Sequence, residues 1–472
     1  MIRHALHICA PLAVAVSAGC AGMPPKLPPV TLKPEAPVAD WVNGEGAWPQ
    51  AQWWRQYQDP TLDRLIETAL ATSPTLATAH ARFESARQSV RLASAAAGAH
   101  LDANADDSRQ RLSDNGLFPP RLLGFYWYNL SDLGLQASYT FDWWGKQRDA
   151  VQSAMDEAHA SQAERSAAAL MLASSVADAY FGWQADECRI ALARERESTV
   201  KSEGAVALAR IRAELDPGDD QQRADAALAS VRGQIAMLDG SAQLRVVTLA
   251  ALVGVSPQEL PPMTPRPLPS IRAELPDDVR IDLIARRADI TASRWRVEAA
   301  EQNRAAARAE FFPDVTVNGL LGVQSVELSS LLEYGSRVPA VSAAIHLPLF
   351  DSGKLKARYG AAQSSIDSAV ASYRETVVSA ARDVATQAST LARIEAQRTQ
   401  RMIELDAAVK LKASAAARVR QGVADSRTEL SAAESWLEQR DELLQLDSAE
   451  VSADIGLKRA LGGGYEMTKE TP

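Results

Sequence analysis

Hydrophobic and polar positions along the chain follow two rhythms, and each rhythm occurs twice. LDRLIETALATSPTLATAHARFESARQSVRLASA (Leu62 to Ala95) spaces its apolar residues three and four apart, with an interruption near Pro74. VRIDLIARRADITASRWRVEAAEQNRAAARAEFF (Val279 to Phe312) does the same. Aligning Leu76 with Ile290 also aligns Ala86 with Ala300 and Leu101 with Val315. That spacing predicts amphipathic helices. The rhythm then changes to alternation. In LGLQASYTF, Leu133, Leu135, Ala137, Tyr139 and Phe141 share one face, and Gly134, Gln136, Ser138 and Thr140 the other. Period two predicts a strand, and a narrow apolar face over about ten residues is what a membrane barrel strand needs. VTVNGLLGV and VSAAIHLPLF (341–350) predict two more strands, and the more polar HLDANADDSRQ a fourth.

Each strand pair feeds a turn that opens a very long helical pattern: FDWWGKQR from Phe141 and FDSGKLKA from Phe350. Asp142 and Asp351 are placed to cap the new helices, and Gly145 and Gly353 to supply unusual backbone angles. From Gly145 to the break at Asp216-Pro217-Gly218 there are roughly 70 residues, and from Gly353 to Gly422 roughly 70 again. At about 1.5 Å per residue each would span about 100 Å, wider than any single globular core. Shorter return helices end at LAALVG (Leu249 to Gly254) and KRALGGG (Lys458 to Gly464). The Pro-rich run from Pro257 to Ser270 cannot continue a helix and divides the two copies. The expected division is residues 1–19 as signal peptide, 20–60 as a lipidated extended segment and 61–256 as the first repeat. Residues 257–276 form the linker, 277–464 the second repeat and 465–472 a tail.

Composition narrows the chemistry. The net charge of -9 opposes a nucleic-acid binder. No run of about 18 uninterrupted apolar residues follows the first twenty, so any bilayer crossing is expected through a closed barrel. The N-terminus pairs Arg3 with a short apolar core and small residues before Cys20, the pattern of an export signal. Its end resembles a bacterial lipobox, with Ser17 where Leu is usual, which makes Cys20 the expected lipid-bearing residue. Ala21, which is not Asp, favours the outer membrane by the same resemblance. Cys188 then has no partner. The six His residues are scattered without ligand spacing, and no phosphate loop, nucleophile elbow or triad is present. No enzyme activity, metal or cofactor is expected beyond the lipid on Cys20. Phe125, Tyr126, Trp127 and Tyr128 are placed either for an interfacial aromatic belt or for packing their loop.

Several pieces, in order and in both halves, resemble one family. They are WWRQYQDPTLDRLIETAL, YTFDWWGKQRDAV and VADAYFGWQ, then IARRADITASRW, AEFFPDVTVNGLLG, LPLFDSGKLKA and the closing ALGGGY. Together they resemble the TolC-like outer-membrane efflux proteins, in particular the NodT-type lipoprotein branch that serves RND pumps. The resemblance implies a mainly α fold with a membrane β-barrel portion. In it a homotrimer pools four strands per chain into a barrel, and long coiled-coil helices form a duct below. It also implies a periplasmic adaptor (membrane fusion) protein and an inner-membrane efflux pump as partners, with outer-membrane lipid around the barrel and no nucleic acid.

By the same resemblance the two hairpin tips are the periplasmic entrance and the adaptor contact. In the second half Arg420, Gly422 and Asp425 match the family's tip motif, with Val423 and Ala424 as a small apolar contact surface. The first-half tip departs from the motif, carrying Asp216, Pro217, Gly218 and Asp219. Arg210, Arg212, Asp425 and Arg427 are the candidate gate charges, and Thr428 stands where one family gate carboxylate would be. A second reading of the same pattern is a lipid-anchored, elongated structural or adhesive trimer without a pore.

Overall fold

The structure, a computed structural model, describes residues 24–32, 35–37, 44, 46–116, 118–215, 217–271, 274–276 and 279–466. The signal segment, Cys20 and Asp216 lie outside the described residues. Helix α1 (Pro60–Thr72) starts because Asp59 accepts hydrogen bonds from the Thr61 and Leu62 amides and Pro60 occupies the first turn. It buries Leu62, Leu65, Ile66 and Ala69 and ends at Ser73, before Pro74 opens α2 (Pro74–Ala96). The second repeat likewise breaks one helix into two, at Arg287 and without prolines.

Strands β1 (His100–Arg111) and β2 (Trp127–Phe141) follow, joined by a loop with one short helix, α3 (Pro120–Leu123). Then come α4 (Lys146–Arg212) and α5 (Asp219–Val253), of 67 and 35 residues. The second repeat supplies α6 (Val279–Arg286), α7 (Ala288–Ala309), β3 (Asp314–Ser325) and β4 (Arg337–His346). It closes with α8 (Lys354–Arg420) and α9 (Ser426–Ala460), again of 67 and 35 residues. The last strand begins earlier and ends sooner than the 341–350 alternation predicts. Pro348 has no N–H to give a ladder, and the chain leaves the sheet at Leu347.

The sheet is an antiparallel meander in the order β1-β2-β3-β4, so the central β2–β3 pair joins the two repeats. Below it α4 packs against α2, α5, α7 and α9, and α8 against α7 and α9. Two cores mirror each other. The first gathers Leu65, Ile66, Tyr180, Phe181, Trp183, Leu249 and Val253. The second gathers Leu283, Ile290, Tyr373, Val377, Val384 and Leu457. Return helix α5 is long and apolar enough by composition to cross a bilayer, but it lies along α4. Its Arg245 pairs with the buried Asp186 at 2.8 Å.

The segment expected to be wholly extended is so only in part. Residues 24–32 run along α7 and α8, where the Val30 amide donates to Glu301 at 2.7 Å. Farther on, Trp53–Tyr57 forms a 3-10 helix, because Trp53 and Trp54 are buried in the first core. The linker runs back beside this segment: the Gly46 amide donates to the Leu275 carbonyl at 2.8 Å. Gly462, at φ +90°, sits against the Arg286 carbonyl, a position that only a residue without Cβ can take.

Candidate functional site: a two-faced sheet and two helical tips

Residues directly opposite in an antiparallel ladder share a face, so the register sorts the whole sheet. Ala105 faces Leu133, which faces Val323; Leu101 faces Ala137, Gly319 and Val341 in turn. One face therefore carries Leu101, Ala103 and Ala105, then the five apolar residues of β2, then Val315, Val317, Leu321 and Val323, and finally Val341 and Ile345. Leu133, Leu135, Tyr139, Leu321, Val341 and Ile345 are exposed on a single copy. The opposite face carries Asp102, Asn104 and Asp106, then Asp132, Gln136, Ser138 and Thr140, then Thr316, Asn318 and Gln324, and last Ser342 and His346. Thr140 and Thr316 meet at 3.0 Å across it. One face suits lipid and the other water, as in a barrel with a wet lumen. Both edge strands, β1 and β4, have one side unpaired within the copy.

At the helix end of the apolar face sits an aromatic girdle that the sequence reading did not assign. Tyr139 packs edge-on against Phe141, Phe141 stacks on Trp143, and Trp144 stacks on Phe312 at 4.3 Å. Trp143 and Phe350 are exposed. The tryptophans were visible in FDWWGKQR, and their distance from the alternating face was the missed signal. Phe125–Tyr128 lie at the opposite end, exposed except for the half-buried Tyr128.

The turns behave as capped junctions. The Arg148 amide donates to Asp142 at 2.8 Å, and the Gly353 and Leu355 amides donate to Asp351 at 3.0 and 2.6 Å. Gly145 and Gly353 hold φ at +81° and +90°, where a side chain would be strained.

At the far end the tips meet. The Arg210 guanidinium lies 4.0 Å from the Asp425 carboxylate, joining the end of α4 to the start of α9. Arg427 lies 3.3 Å from Asp425 and 3.9 Å from Asp220. Asp425 also caps α9, and the Thr428 amide, followed by Arg427, holds its carboxyl below the usual carboxylate range. Among the described residues Arg212 makes no ion pair, and Asp220 takes a place in the cluster that the sequence reading did not give it. Gly422 turns the tip at φ +74°, and the Val423 amide closes it on the Arg418 carbonyl. Val423 is exposed and Ala424 half-buried, while the Arg420 side chain returns to the Ala416 carbonyl. Pro217, Gly218 and Asp219 are exposed at the other tip.

This architecture has close counterparts. The sequence profile of the family described as "Outer membrane efflux protein" matches residues 65–255 and 280–463. The chain belongs to that family. The multidrug resistance outer membrane protein MdtP of Escherichia coli K12 is 31% identical over 445 residues, spanning 92% of this chain and 91% of its own. The putative multidrug resistance outer membrane protein MdtQ of Shigella flexneri is 30% identical over 469 residues, 97% of this chain and 98% of its own. Among solved structures, the outer-membrane channel OprN superposes with a TM-score of 0.83 at 26% identity, covering 94% of this chain and 99% of its own. The outer membrane protein VceC of Vibrio cholerae gives 0.78 at 33% identity, covering 89% and 100%. As an outer-membrane efflux protein, the chain puts its two-faced sheet in the bilayer and its helices in the duct that continues below.

Proposed function

We propose that three copies of this efflux protein close their sheets into one twelve-stranded barrel and form a passive exit duct. A periplasmic adaptor docks on the helical tips, and an inner-membrane pump of the RND type supplies the energy. The duct itself performs no catalytic step. One observation carries this reading: each strand pair, apolar on one face and polar on the other, runs through a capped turn into a 67-residue helix, so pore and tunnel are one continuous wall. The open edges β1 and β4 supply the pairing that closure requires. The Arg210–Asp425 and Arg427–Asp220 pairs tie one hairpin tip to the other and hold the entrance narrow until the adaptor docks.

We also propose a lipid on Cys20. The Pro24 and Pro25 carbonyls accept hydrogen bonds from Arg308 and Tyr359, within two turns of the helix–strand junctions. The four-residue step from Cys20 to Pro24 can span at most about 14 Å, a reach that a lipid anchor at Cys20 would use. Mass spectrometry of the purified protein should show an acylated N-terminal cysteine, and a free Cys20 would overturn the anchor.

Planar-bilayer conductance, with oligomeric mass measured on the same sample, tests the duct. Discrete channel steps from a trimer are expected, larger or more frequent once Asp216, Asp219 and Asp425 are neutralised. A trimer that stays silent and outside the bilayer after neutralisation would establish the anchored, non-conducting alternative.

A further inference from the structure

The lipid-facing side of the sheet does not end in apolar residues. At the end away from the helices the same odd-numbered positions continue as Arg109 and Arg111 on β1, Trp127 and Asn129 on β2, and Arg337 at the start of β4. Their faces follow from the register: Arg109 is opposite Asn129, Arg111 opposite Trp127, and Arg337 opposite Val323. Each arginine lies over an aromatic ring. Arg109 is 5.7 Å from the Trp127 ring centre, Arg111 5.6 Å from that of Tyr126, and Arg337 4.4 Å from that of Tyr334. Two carboxylates are near. The Ser131 hydroxyl engages Asp107 at 2.5 Å, one step below Arg109 on the same face, and Asp114 lies 3.4 Å from Arg111. Cation–ring stacking holds a guanidinium's plane while leaving its N–H groups at the edge to donate.

Height decides what these groups meet. Asn129, level with Arg109, is twelve residues along β2 from Phe141. At about 3.3 Å per residue and a tilt near 40°, that is about 30 Å, beyond an apolar band of about 25 Å. The arginines therefore stand at headgroup level on the outer side, facing lipid, where three are stacked on rings; at the inner girdle Arg308 lies 5.8 Å from the Phe312 ring centre. A cationic rim at the outer end fits a leaflet that carries anionic phosphates. Closure of the ring, on which this step rests, brings the outer end of β4 in one copy beside the outer end of β1 in the next. Arg337 then joins Arg109 and Arg111 at each seam.

We propose that this arginine–aromatic cluster is a binding site for the phosphorylated glycolipid of the outer leaflet, one site per seam between copies. Guanidinium forks bind phosphate oxygens in bidentate fashion, and the rings and apolar strand face below take the sugar and acyl chains.

Native mass spectrometry of the full-length protein in detergent tests this, with bis-phosphorylated lipid A and the same lipid dephosphorylated as probes. The wild type should retain the phosphorylated form roughly tenfold better or more, since one charge-assisted hydrogen bond is worth about that factor. The R109Q/R111Q/R337Q variant should lose the preference, and the R109K/R111K/R337K variant, which keeps the charge, should restore part of it. Equal retention of both lipids by the wild type, or an unchanged preference in the glutamine variant, overturns the site. Spectra and bilayer recordings separate the two readings. A conducting trimer without lipid preference removes the glycolipid site and leaves the duct. A preparation that neither assembles nor conducts removes the duct, and the seam with it.

Discussion

Asp454 ties the 3-10 helix that carries Tyr57 to the last long helix, and cutting that tie has a calculable effect. The side chain is 2% exposed on α9, accepts the Tyr57 hydroxyl at 2.6 Å and pairs with the Lys458 ammonium at 3.0 Å. Burial first, and then the Asp454 charge, raise the Tyr57 pKa well above its usual value, so the phenol remains a donor. Asp454→Ala leaves that phenol and a largely buried ammonium without their carboxylate, at a cost of about 3–5 kcal/mol. Tyr57→Phe removes one charge-assisted hydrogen bond and leaves the Lys458 pair intact, at about 1.5–3 kcal/mol. Because both changes delete the same bond, the double variant should cost less than the sum by about the value of that bond. Native-state hydrogen exchange of amides in 53–57 and 451–458 reads this as local opening. A cost of about 3 kcal/mol appears as exchange roughly 150-fold faster. Strictly additive effects, or less than a tenfold acceleration in Asp454→Ala, would refute the argument.

Three further outcomes follow from the geometry. Gly353→Ala meets open space and should cost only the backbone strain at φ +90°, about 1–2 kcal/mol. Gly462→Ala adds a collision with the Arg286 carbonyl and should cost about 2–5 kcal/mol, so a denaturant midpoint no lower than that of Gly353→Ala would count against it. His159 lies tilted by 34° against Trp295, ring centres 4.5 Å apart, with Nδ1 buried and without a hydrogen-bond partner among the described residues, and burial lowers its pKa against the opposing pull of Glu298. The unfolded histidine takes its proton first as pH falls below 6.5, so stability drops from there towards the lowered native value. Asp156 and Glu298, raised by burial, act with the opposite sign. His159→Phe should flatten the acid-side loss between pH 7.5 and 5.5 in denaturant titrations; an unchanged slope would remove His159 as its source.

Much of this was legible in the sequence because the physics is local and repeated. The β2 alternation from Leu133 to Phe141 marked the apolar face, and the register extended it to three neighbours. The helix starts were readable from Asp-x-x-Gly and Asp-x-Gly, since those residues carry the cap and the left-handed turn. Partnerships across long separations were not. Nothing around Tyr57 announces Asp454, 397 residues away, and nothing in the DPGDD tip marks Asp220 as the residue that meets Arg427. The arginine rim was hidden for a related reason. Arg109 and Arg337 fall on one face only once strand order and register are known, and HLDANADDSRQ read alone is merely polar.

The central β2–β3 pair, which sews the two repeats together, leaves one repeat's strand at each rim of the sheet. A lone copy thus carries two rows of unsatisfied amides and carbonyls along strands that hydrocarbon will not solvate. The helical part has its own buried cores, whereas the sheet cannot enter a bilayer until neighbours have zipped onto both rims. Membrane insertion of this protein is therefore a collective event, with a rate that climbs more steeply than linearly with the number of copies present.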